Sequence, residues 1–188
     1  RDGVVIVGHG MGGDVTHVFN IMGDDFILEN VSVGMVSQHG VQFQPDADNP
    51  VLRNIRVFDC GEQLVKVAWD ESRPEVSCDH GVLENSLLEY TAPFGPQFYI
   101  GGIDCHAGKG WRVQGNVFRN IRSPSGSVAE HAVHFWSWAQ DTVVDSNIII
   151  NCDRGIGFGL GERGHSGGFI TNNMIVHDGQ GEFADVGI

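Results

Sequence analysis

The chain has 188 residues, 24 of them acidic and 11 basic, for a formal charge of -13. That balance argues against a nucleic-acid or anionic-membrane partner, which favours a basic stripe. No apolar run reaches the roughly 18 residues of a membrane-spanning helix, and 27 Gly against 6 Pro fit one domain with many tight turns.

Residues 1–16 open with the apolar run VVIV and pass into GHGMGG. This lacks the Gly-Lys-Ser/Thr end of a phosphate loop and the helix that follows a dinucleotide fingerprint. It reads as a turn leaving a strand, with no amphipathic capping helix. Residues 17–45 supply HVFNIM, FILENVSV and HGVQFQP, followed by the polar turn DADNP. VLRNIRVFDC and EQLVKVAW come next, then the outer loop ESRPEVSCDH and VLENSLLEY. TAPFGPQ connects to YIGGIDCHAGKG and WRVQGNVFRNI. The Ser-rich RSPSGSVAE is expected to be the most mobile segment. AVHFWSW, TVVDSNIIINC, RGIGFGLG, the loop ERGHSG, FITNNMIVHD and GQGEFADVGI complete the chain.

These pieces repeat. Asn30, Asn54, Asn85, Asn116, Asn147 and Asn173 recur at separations of 24, 31, 31, 31 and 26, each within a short apolar segment. A constant unit with variable joining loops is what a solenoid produces. The pieces are short, β-branched and punctuated by Gly and Asn, so they are strands. Each repeat carries three, and stacking equivalents in register makes them parallel. Asn suits the bend between strands because it tolerates left-handed backbone geometry. Stacked Asn amides can also bond in a ladder.

Over residues 17–188 the pattern resembles the right-handed parallel β-helix family that includes pectate and pectin lyases. The resemblance implies an all-β, single-stranded, right-handed parallel β-helix of about six to seven coils. It also suggests a carbohydrate-active role and an extracellular or periplasmic location. Neither end shows a clear cap. The chain starts at Arg1 without Met and stops inside the coil begun by ADVGI. A single domain over 1–188 is expected, either part of a longer solenoid or closed by self-association through open coil ends.

Aligning one sheet points Val41 and Phe43, Val65 and Val67, Ile103 and Cys105, Val133 and Phe135, Ile156 and Phe158, Val186 and Ile188 inward. Alternation then turns Gln42, Lys66, Asp104, His134, Gly157 and Gly187 outward. A second outward row holds Gln44, Ala68, His106, Trp136 and Gly159. Rungs lie about 4.8 Å apart, so Lys66, Asp104 and His134 are consecutive, and the glycines leave a flat surface. Loop residues Lys109, Trp138, Arg154, Glu162 and Arg163 are placed to wall it.

Lyase chemistry on an acidic polysaccharide needs a base for the C5 proton of a uronate and positive charge on its carboxylate. His134 or Lys66 supplies the base, beside Asp104. A neighbouring carboxylate keeps an ammonium charged, so Asp104 favours His134 as base. His106, Trp136, Arg154, Lys109 and Trp138 are the substrate-binding candidates. Glycoside hydrolysis needs two carboxylates flanking the bond, and only Asp104 lies on the sheet. For the same reason a strong calcium site is not expected and no cofactor is assigned. A two-His, one-carboxylate set of Asp104, His106 and His134 is the alternative, suited to zinc or iron. The competing reading is a non-catalytic carbohydrate- or surface-binding module, or a structural solenoid.

Cys60, Cys78, Cys105 and Cys152 show no CxxC spacing. A Cys60–Cys78 disulfide is an option, with buried thiols favoured. Trp111 and Phe118 read as packing residues. Arg119 and Arg122 read as a solvated edge, and His9, His17, His39, His80, His165 and His177 as surface or turn residues.

Overall fold

The computed structural model describes residues 3–179 and 187–188. Among these there is no helix, and the strands form three long parallel sheets that wind into a β-solenoid of about six turns, with a fourth, two-stranded parallel sheet of Ala139–Gln140 and His165–Ser166. Sheet A stacks Val4–Val7, Val31–Val36, Arg56–Cys60, Leu87–Glu89, Val117–Arg119, Ile148–Ile150 and Met174–Val176. Sheet B stacks His17–Ile21, His39–Phe43, Val65–Val67, Ile103–His106, His131–Trp136 and Arg154–Phe158. Sheet C stacks Ile27–Glu29, Val51–Arg53, Val82–Glu84, Arg112–Gln114, Val143–Asp145 and Phe169–Thr171. The predicted final strand falls mostly on residues 180–186, Val186 among them, which lie outside the described residues. Ile188, predicted inward, is 70% exposed.

The core is a set of apolar columns. Leu28, Leu52, Leu83, Val113, Val144 and Ile170 pair in register down sheet C. Val33, Val57, Leu88, Phe118 and Ile149 do so down sheet A, and all five are buried. Trp111 is fully buried between Phe43 and Phe135, with centroids 6.2 and 6.0 Å away. Its indole N–H donates to the Cys78 carbonyl at 2.8 Å, so the one polar atom of this large side chain is satisfied.

The six repeat asparagines occupy two neighbouring columns rather than one. Asn30, Asn54 and Asn85 hold the left-handed turn, with φ of 59°, 54° and 51°. From the fourth coil that position passes to Gly115, Ser146 and Asn172, at 66°, 56° and 54°. Asn116, Asn147 and Asn173 stand one residue further on, where Ile55 and Ser86 stood in earlier coils. There the amides form a ladder directed into the core. Asn116 Nδ2 donates to Asn147 Oδ1 at 3.0 Å, and Asn147 Nδ2 to Asn173 Oδ1 at 2.9 Å. Each Nδ2 also donates to a backbone carbonyl, of Leu83, Val113 and Val144 in turn. The left-handed turn and the ladder are therefore separate devices.

Several side chains differ from expectation. All four cysteines are buried free thiols, so the optional Cys60–Cys78 disulfide does not form. Burial pushes the Cys60 and Cys152 thiols up to about 12. Arg122 is not a solvated edge residue. It is 2% exposed, lies over the Phe94 ring at 4.8 Å, and faces Asp153 at 3.9 Å and Asp178 at 3.6 Å. Asp153 Oδ2 accepts from the backbone N–H of Ser123 and of Ala129, at 2.9 and 3.0 Å. The Ser-rich loop is thus clamped at both ends while its tip, residues 124–127, is exposed. His39 is also buried, at 6% exposure, not a surface residue.

Candidate functional site

Sheet B has the register predicted from the sequence. Gln42, Lys66, Asp104, His134 and Gly157 form one paired row. His106 pairs with Trp136 beside it. The inward partners, from Val41 to Ile156, are buried as alternation requires.

The outward row is nevertheless covered. Asp104 is 3% and His134 1% exposed, and the side chains of Lys66 and His106 are 12% and 16% exposed. An aromatic stack does the covering. Trp136 lies parallel to His134, with centroids 5.2 Å apart and planes 7° apart, and His131 lies 4.4 Å from His134. The Arg163 guanidinium sits 4.3 Å from the Trp136 ring centre, and the Trp136 N–H donates to Asp104 Oδ1 at 2.7 Å. Trp136 is therefore occupied within the fold. Gly157 leaves no bare platform, because a Cβ there would lie 2.6 Å from His131 Nε2.

His131 reaches this face because alternation breaks beside it. Ala132 and Val133 are both fully buried, which returns His131 and His134 to the same outer side. The same buried doublet occurs at Gly40–Val41, Leu64–Val65, Gly102–Ile103 and Gly155–Ile156. It recurs in every coil of sheet B after the first, where Val18 and Phe19 are half-buried, and strict period two overlooks it.

Below the stack, Lys66 Nζ donates to Asp104 Oδ2 and lies 3.0 Å from His106 Nε2. His106 Nε2 is 3.4 Å from Asp104 Oδ2, and His106 Nδ1 is 3.5 Å from Ser137 Oγ. Burial opposes the charge on Asp104. The hydrogen bond from His106 and the charges of Lys66, His106 and His134 outweigh it, and the carboxyl is held well below its usual range. Burial lowers His134 against the pull of Asp104. Burial, then the charge of Asp104, raises Glu130. His39, buried with Nδ1 2.9 Å from the Gln63 carbonyl, is lowered to about 4.

Next to this cluster lies a cavity of about 390 Å³, lined by Trp69, Pro74, Ser77, Ala107, Lys109, Ser137, Trp138 and Gln140. Trp138 is 52% exposed, and its ring centre is 5.3 Å from that of Trp69. Lys109 Nζ is 3.8 Å from Asp79 Oδ2 and its side chain is 43% exposed. Ala107 and Ser137 directly follow His106 and Trp136, so the cavity and the polar cluster share a border. Sequence reasoning picked Trp138 and Lys109 but assigned no role to Trp69, Ser137 or Gln140. The only signal for Trp69 was its place at the end of EQLVKVAW. Arg154 lies away from this cavity and pairs with His131 in sheet B, and Glu162 is exposed.

Among the described residues, the metal-type ligands that converge are Glu130, His131 and His134. Asp104 Oδ1 lies 3.5 Å from His134 Nδ1, while Asp104 Oδ2 and His106 Nε2 face Lys66 Nζ. The described residues contain no helix long and apolar enough to cross a membrane.

No protein-family model matches this chain, and neither does any curated protein. Among solved structures, the crystal structure of alginate lyase from Paenibacillus sp. str. FPU-7 is similar, with 12% identity and a TM-score of 0.46 over 95% of this chain and 79% of that one.

Proposed function

We propose that the chain is a carbohydrate-active β-solenoid protein that holds an acidic polysaccharide in the Trp69–Trp138 cavity and acts on it as a lyase at His106. The observation that carries this reading is the shared border between that cavity and the Lys66–Asp104–His106 cluster. A sugar ring offers an apolar face to Trp138 and hydroxyls to Gln140 and Ser137. A uronate adds a carboxylate for Lys109. The overall acidity of the chain makes this local cation necessary for a polyanion.

In the elimination, the C5–H bond breaks, His106 takes the proton, and the electron pair is delocalised onto the uronate carboxylate. That pair then forms the C4–C5 double bond as the C4–O4 bond breaks, and the leaving oxygen takes up a proton from water. Negative charge develops on the uronate carboxylate, and Lys109 offsets it. Asp104, held ionised, orients His106 and does not donate a proton. Lys66 Nζ only donates and lies 3.0 Å from His106 Nε2, so the lone pair sits on Nε2 and the ring proton on Nδ1, beside Ser137 at the cavity edge. A proton taken up on Nε2 is stabilised by Asp104 Oδ2, 3.4 Å away. His106 takes the role of base that the sequence suggested for His134, because the aromatic stack keeps His134 from a polymer.

The burial of Asp104 and Lys66 favours a second reading, a binding module that uses the cavity alone. One assay separates them. Pectate, alginate and chondroitin are offered to the protein while ultraviolet absorbance follows the unsaturated product. A lyase gives a rise that His106→Ala abolishes with binding retained, while Trp138→Ala weakens binding about tenfold. Binding without product, lost in Trp138→Ala, leaves the module. No binding and no product dismisses both.

A further inference from the structure

We propose that His134 Nδ1, a ring nitrogen of His131 and a carboxylate oxygen of Glu130 bind one divalent first-row transition metal of the zinc class. The site is independent of the lyase reading, and its metal braces the covered face of sheet B. One donor atom from each of the three residues lies within 4.8 Å of the others, and His134 Nδ1 is 3.7 Å from Glu130 Oε2. Ligands about 2 Å from one ion stand about 3–4 Å apart, so small side-chain rotations close the set.

The state of His134 is the first support. Its Nε2 faces the Gly159 carbonyl oxygen at 3.4 Å. A carbonyl only accepts, so the proton belongs on Nε2 and the lone pair on Nδ1. That Nδ1 is buried and has no hydrogen-bond partner among the described residues. Its polar neighbours are carboxylate oxygens, Asp104 Oδ1 at 3.5 Å and Glu130 Oε2 at 3.7 Å. A buried lone pair facing two carboxylates is repulsive, and a cation between them reverses the sign.

The backbone is the second support. Three His131 ring atoms lie 2.6, 2.7 and 2.8 Å from where a Cβ of residue 157 would stand. Only glycine leaves room for the ring there. The buried Ala132–Val133 doublet brings both imidazoles to one face, 4.4 Å apart. Two imidazoles and a carboxylate suit zinc and its neighbours, whereas calcium prefers an all-oxygen shell. His131 and His134, 8% and 1% exposed, are closed to a polymer, which fits a brace and not a catalyst.

The test uses the full chain, stripped with a chelator and dialysed. Zn²⁺ is titrated by calorimetry and Co²⁺ by visible absorption. Expected are one equivalent of metal, cobalt bands of a nitrogen- and oxygen-ligated site, and a Tm rise of about 5 °C or more at hundredfold excess over Kd. Glu130→Gln and Gly157→Ala each weaken binding at least tenfold, while His9→Ala, at an exposed histidine, leaves it unchanged. Substoichiometric binding, an unchanged affinity in Glu130→Gln, or Ca²⁺ binding as tightly as Zn²⁺ overturns the proposal. Should a variant fail to fold, the unaltered chain still decides: no cobalt bands and no Tm shift overturn it as well.

Discussion

His39 shows how burial converts an ordinary residue into a pH-dependent one. Burial lowers its pKa from 6.5 to about 4, and the charge of Lys66 adds to the effect. The unfolded chain then binds a proton more readily than the folded one between those values. The resulting stability is complete above pH 6.5 and is lost as pH falls toward 4. The linkage limit is about 3 kcal/mol, and His134, lowered by burial, acts with the same sign. Asp104 also has a depressed folded pKa, so its contribution disappears only at more acidic pH. Urea denaturation at pH 7, 5.5 and 4 should show stability declining over this window. His39→Asn, which keeps a donor for the Gln63 carbonyl, should flatten the decline. An equal slope in the variant means that His39 does not control it. His39 was assigned to the surface from its sequence position, because nothing local shows that the Gln63 backbone closes over it.

Among the elements, the Asn ladder is what joins the last three coils. Asn147 Oδ1 accepts from the Asn116 backbone N–H and from its Nδ2, at 2.9 and 3.0 Å. Its Nδ2 donates to the Val113 carbonyl and to Asn173 Oδ1, both at 2.9 Å. Asn147→Leu removes these four hydrogen bonds in a buried setting, while Asn116 Nδ2 keeps the Leu83 carbonyl and Asn173 Oδ1 keeps the backbone N–H of residue 147. At roughly 1 kcal/mol per lost bond and more for an orphaned group, a cost of about 2–4 kcal/mol is expected. Asn85→Ala tests the other column. It loses only an exposed residue suited to the left-handed region, at about 1 kcal/mol. Chemical denaturation of both variants checks the difference, and equal losses would show that the ladder carries no special weight. The repeat of Asn was legible in the sequence. Its division into two columns was not, because a one-residue change of loop length between coils leaves the spacing almost unaltered and turns the side chain inward.

For the whole molecule, the formal charge of -13 sets a balance between repulsion and local pairs. Arg53 lies between Glu29 and Glu84, and Glu89 takes both Arg56 and Arg119. The surface pairs of Arg53 contribute about 0–1 kcal/mol each, and Glu89 is buried beneath its two arginines, which leaves the excess of 24 acids over 11 bases unscreened elsewhere. Raising salt from 0.1 to 1 M shortens the screening length from about 10 to about 3 Å. Tm should then rise by about 2–5 °C as self-repulsion is screened. A fall in Tm by differential scanning calorimetry would mean that the local pairs dominate. The Lys66–Asp104 pair lies under the aromatic stack and should respond little either way.

Composition, strand-length apolar runs and their recurrence determined the solenoid, its three strands per coil and the register of sheet B down to the Lys66–Asp104–His134 row. These are properties of period and pattern, and stacking leaves them few alternatives. Exposure was decided only in three dimensions. Alternation says which way a side chain points, not what lies over it, and the His131–His134–Trp136 stack folds over its neighbours from one strand and is capped by Arg163 from a loop. The pair His131 and His134 was visible in EHAVH, but period two places residues three apart on opposite faces. The buried Ala132–Val133 doublet puts them on one. The cavity likewise joins Trp69 and Trp138, which lie on different coils. Their meeting depends on how the loops between strands fold back, which local sequence preference does not encode.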